Sequence, residues 1–334
     1  MPHTGVFFIP SNPNASTALS MVTERLSSAF AEEPILVSGW KLDHKLMRDT
    51  PSCLPPSNSQ RPTVPKYMQL LSLTHYPNHG FIYTSQPSSD SISAGGTQTA
   101  TATPTPASSQ SSQTAPATTP MVMTTVPIPS TNALYQHFAY ACQPFWAHRH
   151  TVAVLGGMAY DIGDFRIRVG DVRQTQPAAR VRGTVVEIEW RGPSLVSTLS
   201  AVYRSRRQAK TKASNPYSSW GSEQHNEGDG SGLDMAFPDG VEETDIDAEY
   251  AVTASLIREF WAKLGIDGAR EAILVPGVGK EAKERLRELK KQDPNSHNQA
   301  VRDESGGQQM DEDPDPHAGV DVARQFMEIL RFNR

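Results

Sequence analysis

Cysteine is nearly absent from this chain: only Cys53 and Cys142 occur in 334 residues. Two thiols exclude a disulfide framework and a four-cysteine zinc site. No run of 18 apolar residues occurs, so no segment reads as a membrane-spanning helix. Apolar residues are scarce at 37%, against about 45–50% in an average globular chain. Excess positive charge is missing too. The net charge of -5 provides no basic field for nucleic acid, and direct DNA binding is not expected. Hydrolase signatures such as Gly-x-Ser-x-Gly and His-Glu-x-x-His are absent. The opening ten residues lack a basic n-region, and their apolar run is too short for a signal peptide. Asn14-Ala15-Ser16 fits the glycosylation pattern, which is idle without secretion. The expectation is a soluble cytosolic or nuclear chain.

The polar excess is concentrated. Residues 87–130 are mostly Ser, Thr, Ala, Gln and Pro with one charge, Asp90. Ordering them would cost entropy with almost nothing to bury, so a disordered insertion is predicted. Its Thr103-Pro104, Thr105-Pro106 and Thr119-Pro120 dipeptides could be phosphorylated, though an inert linker is the plainer reading. A second polar insertion covers 204–245. There a basic block (Arg204, Arg206, Arg207, Lys210, Lys212) precedes an acidic, glycine-rich stretch. Such a block suits nuclear import or a solvated linker equally. Residues 266–334 read as a charged, largely disordered tail with short helices at 280–291 and 320–332. That leaves one domain over 1–265, interrupted by two insertions.

Within the domain, 5–9 reads as a strand. Leu19, Val22, Leu26 and Phe30 mark one face of a helix, with Asn14 or Ser16 as cap candidates and Pro34 as its stop. Residues 35–47 read as extended and 50–65 as a Pro/Ser-rich loop. Residues 67–74 and 81–84 read as strands joined by a turn at Pro77-Asn78-His79-Gly80. Leu134, Phe138, Ala141, Cys142 and Phe145 have helical spacing, which makes Cys142 a small core residue. Tyr250, Ile257, Trp261 and Leu264 mark a wide apolar helix face, opened by Asp247 and closed by Gly265.

The most informative stretch is 150–191. Gly156-Gly157 interrupts an apolar strand and suggests a bulge. Beyond it, 164–169 and 186–191 both alternate strictly. Pairing them about a centre between Pro177 and Ala178 sets Val169 against Val186, Ile167 against Ile188 and Phe165 against Trp190. The other face then pairs Arg168 with Glu187, Arg166 with Glu189 and Asp164 with Arg191. A slip of one residue would set arginines against Ile188 and Trp190. The pairing predicts a solvated charged face and an apolar face turned to the interior.

Candidate chemistry is thin. Gly277-Val278-Gly279-Lys280 looks like a phosphate loop, but Leu274 stands where the first glycine belongs and Glu281 follows the lysine. His148 and His150 share a strand face, yet no acid or cysteine completes a metal site. His75 and His79 flank a turn. Asp161 and Asp164 sit at strand ends and suit turn formation. No catalytic, cofactor-binding or metal residue is assigned, and no cofactor is expected.

The ordered segments resemble subunit 20 of the Mediator complex of RNA polymerase II transcription. Three pieces carry the resemblance. The first is Gly5-Val6-Phe7-Phe8-Ile9-Pro10 followed by a helix. The second runs from Tyr160 through Phe165-Arg166-Ile167-Arg168-Val169-Gly170 and Ala179-Arg180-Val181-Arg182-Gly183 to Val186-Glu187-Ile188-Glu189-Trp190. The third is Ile257-Arg258-Glu259-Phe260-Trp261. The resemblance implies an α+β fold built on a single antiparallel β-barrel with flanking helices. It implies a nuclear, non-catalytic subunit of the Mediator head module that pairs with subunits 18 and 8. Contacts with the TATA-binding protein and the RNA polymerase II machinery are implied as well. The rival from another class is a barrel-type phosphate- or triphosphate-binding enzyme, which would line its interior with Arg166, Arg168, Glu187 and Glu189. Trp40 is a candidate contact residue, although core burial is the plainer role.

Overall fold

In a computed structural model of the chain, the described residues are 2–11, 17–50, 66–85, 121–143, 145–213, 240–291 and 315–332. Nine strands form one antiparallel sheet: β1 His3–Pro10, β2 Ile35–Asp49, β3 Tyr67–Leu73, β4 His79–Ser85, β5 Met121–Pro127, β6 Trp146–Ile162, β7 Phe165–Gln176, β8 Arg180–Trp190 and β9 Arg270–Ala272. Their order is β5-β4-β3-β2-β6-β7-β8-β1-β9. Six helices accompany it: α1 Leu19–Ala29, α2 Ile128–Gln136, α3 Leu195–Ala213, α4 Glu243–Leu264, α5 Lys280–Lys291 and α6 Val320–Leu330. A π-helical turn, His137–Ala141, extends α2.

The β7–β8 hairpin has the register that alternation demands, with Phe165 opposite Trp190, Ile167 opposite Ile188 and Val169 opposite Val186. The β6 irregularity falls between Ala153 and Met158. A Cβ on Gly157 would lie 2.3 Å from the Trp40 indole nitrogen, so glycine there makes room for that ring. Gly265 closes α4 at φ 61, a left-handed cap that favours glycine.

Four expectations need correction. The sheet does not close into a barrel: its edges are β5 and β9. It curls around α6, which touches β1 and β9 near one edge and β3, β4 and β5 near the other. The helix occupies the space in which the two edges would have met. Second, the core does not stop at residue 265. Ala323, Phe326, Met327 and Leu330 of α6 are fully buried with Trp40, Leu42, Phe81 and Val152. α5 buries Ala282, Leu286 and Leu289 against α3 and α4. Third, the apolar face of the hairpin does not look inward. Ile167, Val169, Val186 and Ile188 pack under α1 and α4 on the outer face, so both sides of the sheet are covered. Fourth, the insertions are shorter than the composition suggests. Residues 121–127 form β5, and the basic block lies in or beside the last turns of α3.

Smaller differences have local causes. α1 has Ala18 at its N-cap and so no side-chain cap, and Asn14 and Ser16 lie outside the described residues. α4 opens with a capping box of Glu242 and Asp245 rather than on Asp247. α2 begins earlier than the spacing implies, with proline in its first turn. Phe145 then falls beyond the helix and is exposed, and Cys142 is half-buried in the following turn. The 50–65 loop beyond Thr50, the Thr-Pro dipeptides and Cys53 lie outside the described residues.

Candidate functional site

The densest polar construction lies where α6 is seated. Asp321 accepts a hydrogen bond from the Tyr250 hydroxyl at 2.7 Å and one from the backbone N–H of Gly279 at 3.2 Å. Arg324 donates to Asp321 at 3.1 Å and forms a two-pronged pair with Glu281. The Gln325 amide donates to the carbonyls of Thr4 and Ile273 at 2.7 and 2.8 Å, and the Thr4 hydroxyl donates back to Gln325. All of these side chains are buried. The glycine loop at 277–280 therefore does present backbone N–H to an anion, but the anion is Asp321 of this chain. Turns that open a helix with free N–H groups favour such a partner.

At the other end of α6, His150 approaches the carbonyl of Leu330 at 3.4 Å, and Arg270 donates to that of Ile329 at 3.0 Å. Of the two, Arg270 is the cation, and a cation near the last carbonyls complements the helix dipole. His44 hydrogen-bonds Gln69 at 3.0 Å, with its ring centroid 6.0 Å from that of His150. Burial, with His150 adding to it, pulls His44 down to about 3, and burial pulls His150 down to about 4. Both are neutral at physiological pH. His148 bonds Thr151 instead of joining them in a metal set. Among the described residues, no group of three or more His, Cys, Asp or Glu is placed to hold a metal ion.

The charged face of the hairpin is partly buried, contrary to expectation. Arg168 donates to Glu187 at 2.7 Å and lies 2.7 Å from Glu189. Glu187 is 0% exposed, because this face looks toward Tyr76 and the seated helix. Burial raises the Glu187 carboxyl while Arg168 opposes the rise. Burial followed by Arg168 pulls His75 down to about 3, so its 3.5 Å approach to Glu187 is a contact of a neutral ring. Arg166 turns to Asp161 at 2.8 Å, and Arg191 also reaches Asp161 at 2.9 Å. Asp164 meets Arg191 through the backbone alone. These charges compensate one another: His75 and Tyr76 lie against Arg168 and Glu187, and of Arg166, Arg168, Glu187 and Glu189 only Glu189 borders the hollow lined by Tyr76 and Arg191. An enzyme that grips phosphate needs arginines left free for the ligand, and Arg168 is committed twice. Trp40 is buried and donates to the carbonyl of Val169 at 3.1 Å, so it is a core residue.

Sequence reading missed Tyr250, Glu281, Asp321, Arg324 and Gln325 as one network, because the partners lie far apart along the chain. One signal was present. The seven apolar residues of 320–330 span about half of the helix circumference, wider than a single docking stripe of roughly 100°. Such a helix must be covered from more than one side.

Comparison with known proteins gives three findings. Among solved structures, the chain is similar to the PH1819 protein from Pyrococcus horikoshii OT3. The match has 11% identity and a TM-score of 0.24, and covers 63% of this chain and 89% of that one. No curated protein matches. The model of the family described as Med20, TATA-binding related factor (TRF) of subunit 20 of the Mediator complex, matches residues 1–331. The chain thus belongs to the Med20 family, as a nuclear, non-catalytic Mediator subunit that takes part in transcription regulation.

Proposed function

We propose that this chain is a scaffold subunit of the Mediator head module that binds subunits 18 and 8 and helps bridge regulators to RNA polymerase II and the TATA-binding protein. The family match over residues 1–331 carries the reading. The internal pairing of the buried charges supports it, since a docking subunit needs a rigid, self-satisfied interior and no free catalytic group. Affinity would come from apolar surface buried at the interface. Co-expression with subunit 18 tests the proposal. A complex that survives size-exclusion chromatography at micromolar concentration is expected, and separate elution of the two chains would refute the pairing.

A further inference from the structure

We infer that residues 35–40 of β2, together with the acidic, aromatic groove beside them, form a docking site for an extended, lysine- or arginine-bearing segment of a partner polypeptide. The inference rests on the reading of the chain as a docking subunit. On one side, residues 35–40 pair with β6. On the other side, β3 begins pairing only at Leu42. Thr74 closes off position 41, its hydroxyl accepting from the Lys41 N–H at 2.9 Å and its own N–H donating to the Lys41 carbonyl at 3.1 Å. Among the described residues, no strand runs along the open side of 35–40. Pro34 marks the start of this stretch, and a bulge falls at Val37 between Leu36 and Ser38.

This open edge carries apolar side chains. Ile35, Leu36 and Val37 are 67%, 61% and 45% exposed. Proteins blunt bare edges with charge, proline or bulges, because unpaired N–H and C=O groups recruit another strand. Here the bulge and Pro34 limit the pairing length, while no charge guards the strip itself. A short added strand fits that pattern better than open-ended stacking.

Charge selects the occupant. Two adjoining hollows share Phe30, Ala31 and Glu32. One reaches Phe165, Trp190, Asp164 and Glu259; the other reaches Glu33, Pro34 and Tyr160, the residue that pairs with Leu36. Lys263 is the one cation lining them, and it already lies 3.2 Å from Glu259. Among the described residues, no cation comes within ion-pair distance of Glu32, Glu33 or Asp164. A second copy of this chain would bring only Lys41 from its matching strip to three carboxylates. A foreign segment with alternating apolar residues and a flanking lysine or arginine matches both the edge and the rim. The aromatic floor would also favour the cation.

Amide hydrogen exchange on the full chain tests this. The probes are a peptide of alternating valine and threonine flanked by lysines, and a twin flanked by glutamates. The lysine peptide is expected to slow exchange at residues 35–40 and to bind at least tenfold more tightly than its twin. Leu36→Lys, and Glu32→Lys with Glu33→Lys, should each weaken it about tenfold, with exchange in β6 and the thermal midpoint unchanged. Equal binding of the two peptides, or protection elsewhere, would overturn the inference. So would protection of 35–40 that appears without peptide and grows with protein concentration, the mark of a second copy. The co-expressed Mediator complex separates this failure from that of the proposed function. If the complex forms while 35–40 exchange freely, the docking edge is wrong and the scaffold role stands. If no complex forms, the scaffold pairing fails and the peptides decide the edge alone.

Discussion

Arg324 shows how a residue that reads as surface becomes part of the interior. It lies among Asp321, Glu281 and Gly277 with almost no exposure. Removing a single member of a buried ionic group strands its partners, at a cost of about 3–5 kcal/mol. Arg324→Ala should therefore lower the unfolding free energy measured in urea by that amount, whereas Arg258→Ala, which breaks an exposed pair with Glu271, should cost less than about 1 kcal/mol. Equal losses would show that the buried network contributes no more than a surface pair. The histidines make a second, pH-dependent case. His44 and His75 are lowered from 6.5 to about 3, and His150 to about 4, in each case chiefly by burial. Folded, each binds its proton more weakly than unfolded. The stability they contribute is full above pH 6.5 and drains away as pH falls toward 3–4. Glu187 and Asp321, raised by burial, push the opposite way over part of that window, so a difference between variants is needed. His44→Gln should flatten the slope of unfolding free energy against pH between 6 and 4.5 by up to about 1.4 kcal/mol per unit, one proton's worth. An unchanged slope would mean that His44 is not buried neutral.

At the scale of elements, local pairings were legible and long-range coverings were not. The β7–β8 register could be read because two alternating strands lie close in sequence and only one alignment satisfies both faces. α1 and α4 were legible from helical spacing and from Gly265, whereas α5 was expected only as a short helix in a charged tail and in fact buries Ala282, Leu286 and Leu289. What alternation could not tell was which face of the hairpin is the inside. Ile167 and Ile188 are covered by helices that begin at Leu19 and Glu243, while Arg168 and Glu187 look toward elements that include residues 75–76 and the seat of α6. The glycine loop at 277–280 failed as a phosphate loop by its sequence, and the carboxylate its N–H does meet is 42 residues away. Phe326 is the buried aromatic at the middle of α6, with its ring centroid 6.0 Å from Trp40. Phe326→Ala should cost about 3–5 kcal/mol and shift the tryptophan emission. Exposed Phe145→Ala should do neither. A small loss at Phe326 would mean that the helix is loosely seated.

For the molecule as a whole, the position of α6 decides how it unfolds. The helix is the last described element, yet it bonds to Thr4 of β1 and touches strands near both edges of the sheet. A sheet left open between β5 and β9 would have two ends free to separate, and α6 removes that freedom by contacting both. The sheet is therefore held together by a segment that reads as a charged tail, because its polar partners at 4, 250, 279 and 281 come together only once the sheet has curled. No part of the sheet can lose α6 without uncovering the apolar residues of the rest. Unfolding should then be one cooperative step: in urea, tryptophan emission, far-UV circular dichroism and exchange of the β1 amides should report the same midpoint. Arg324→Ala and Phe326→Ala should move all three together. If exchange at β3 and β4 opened at a lower urea concentration than at β1 and β8, the two ends of the sheet would be separate units, and α6 would be a passenger on one of them.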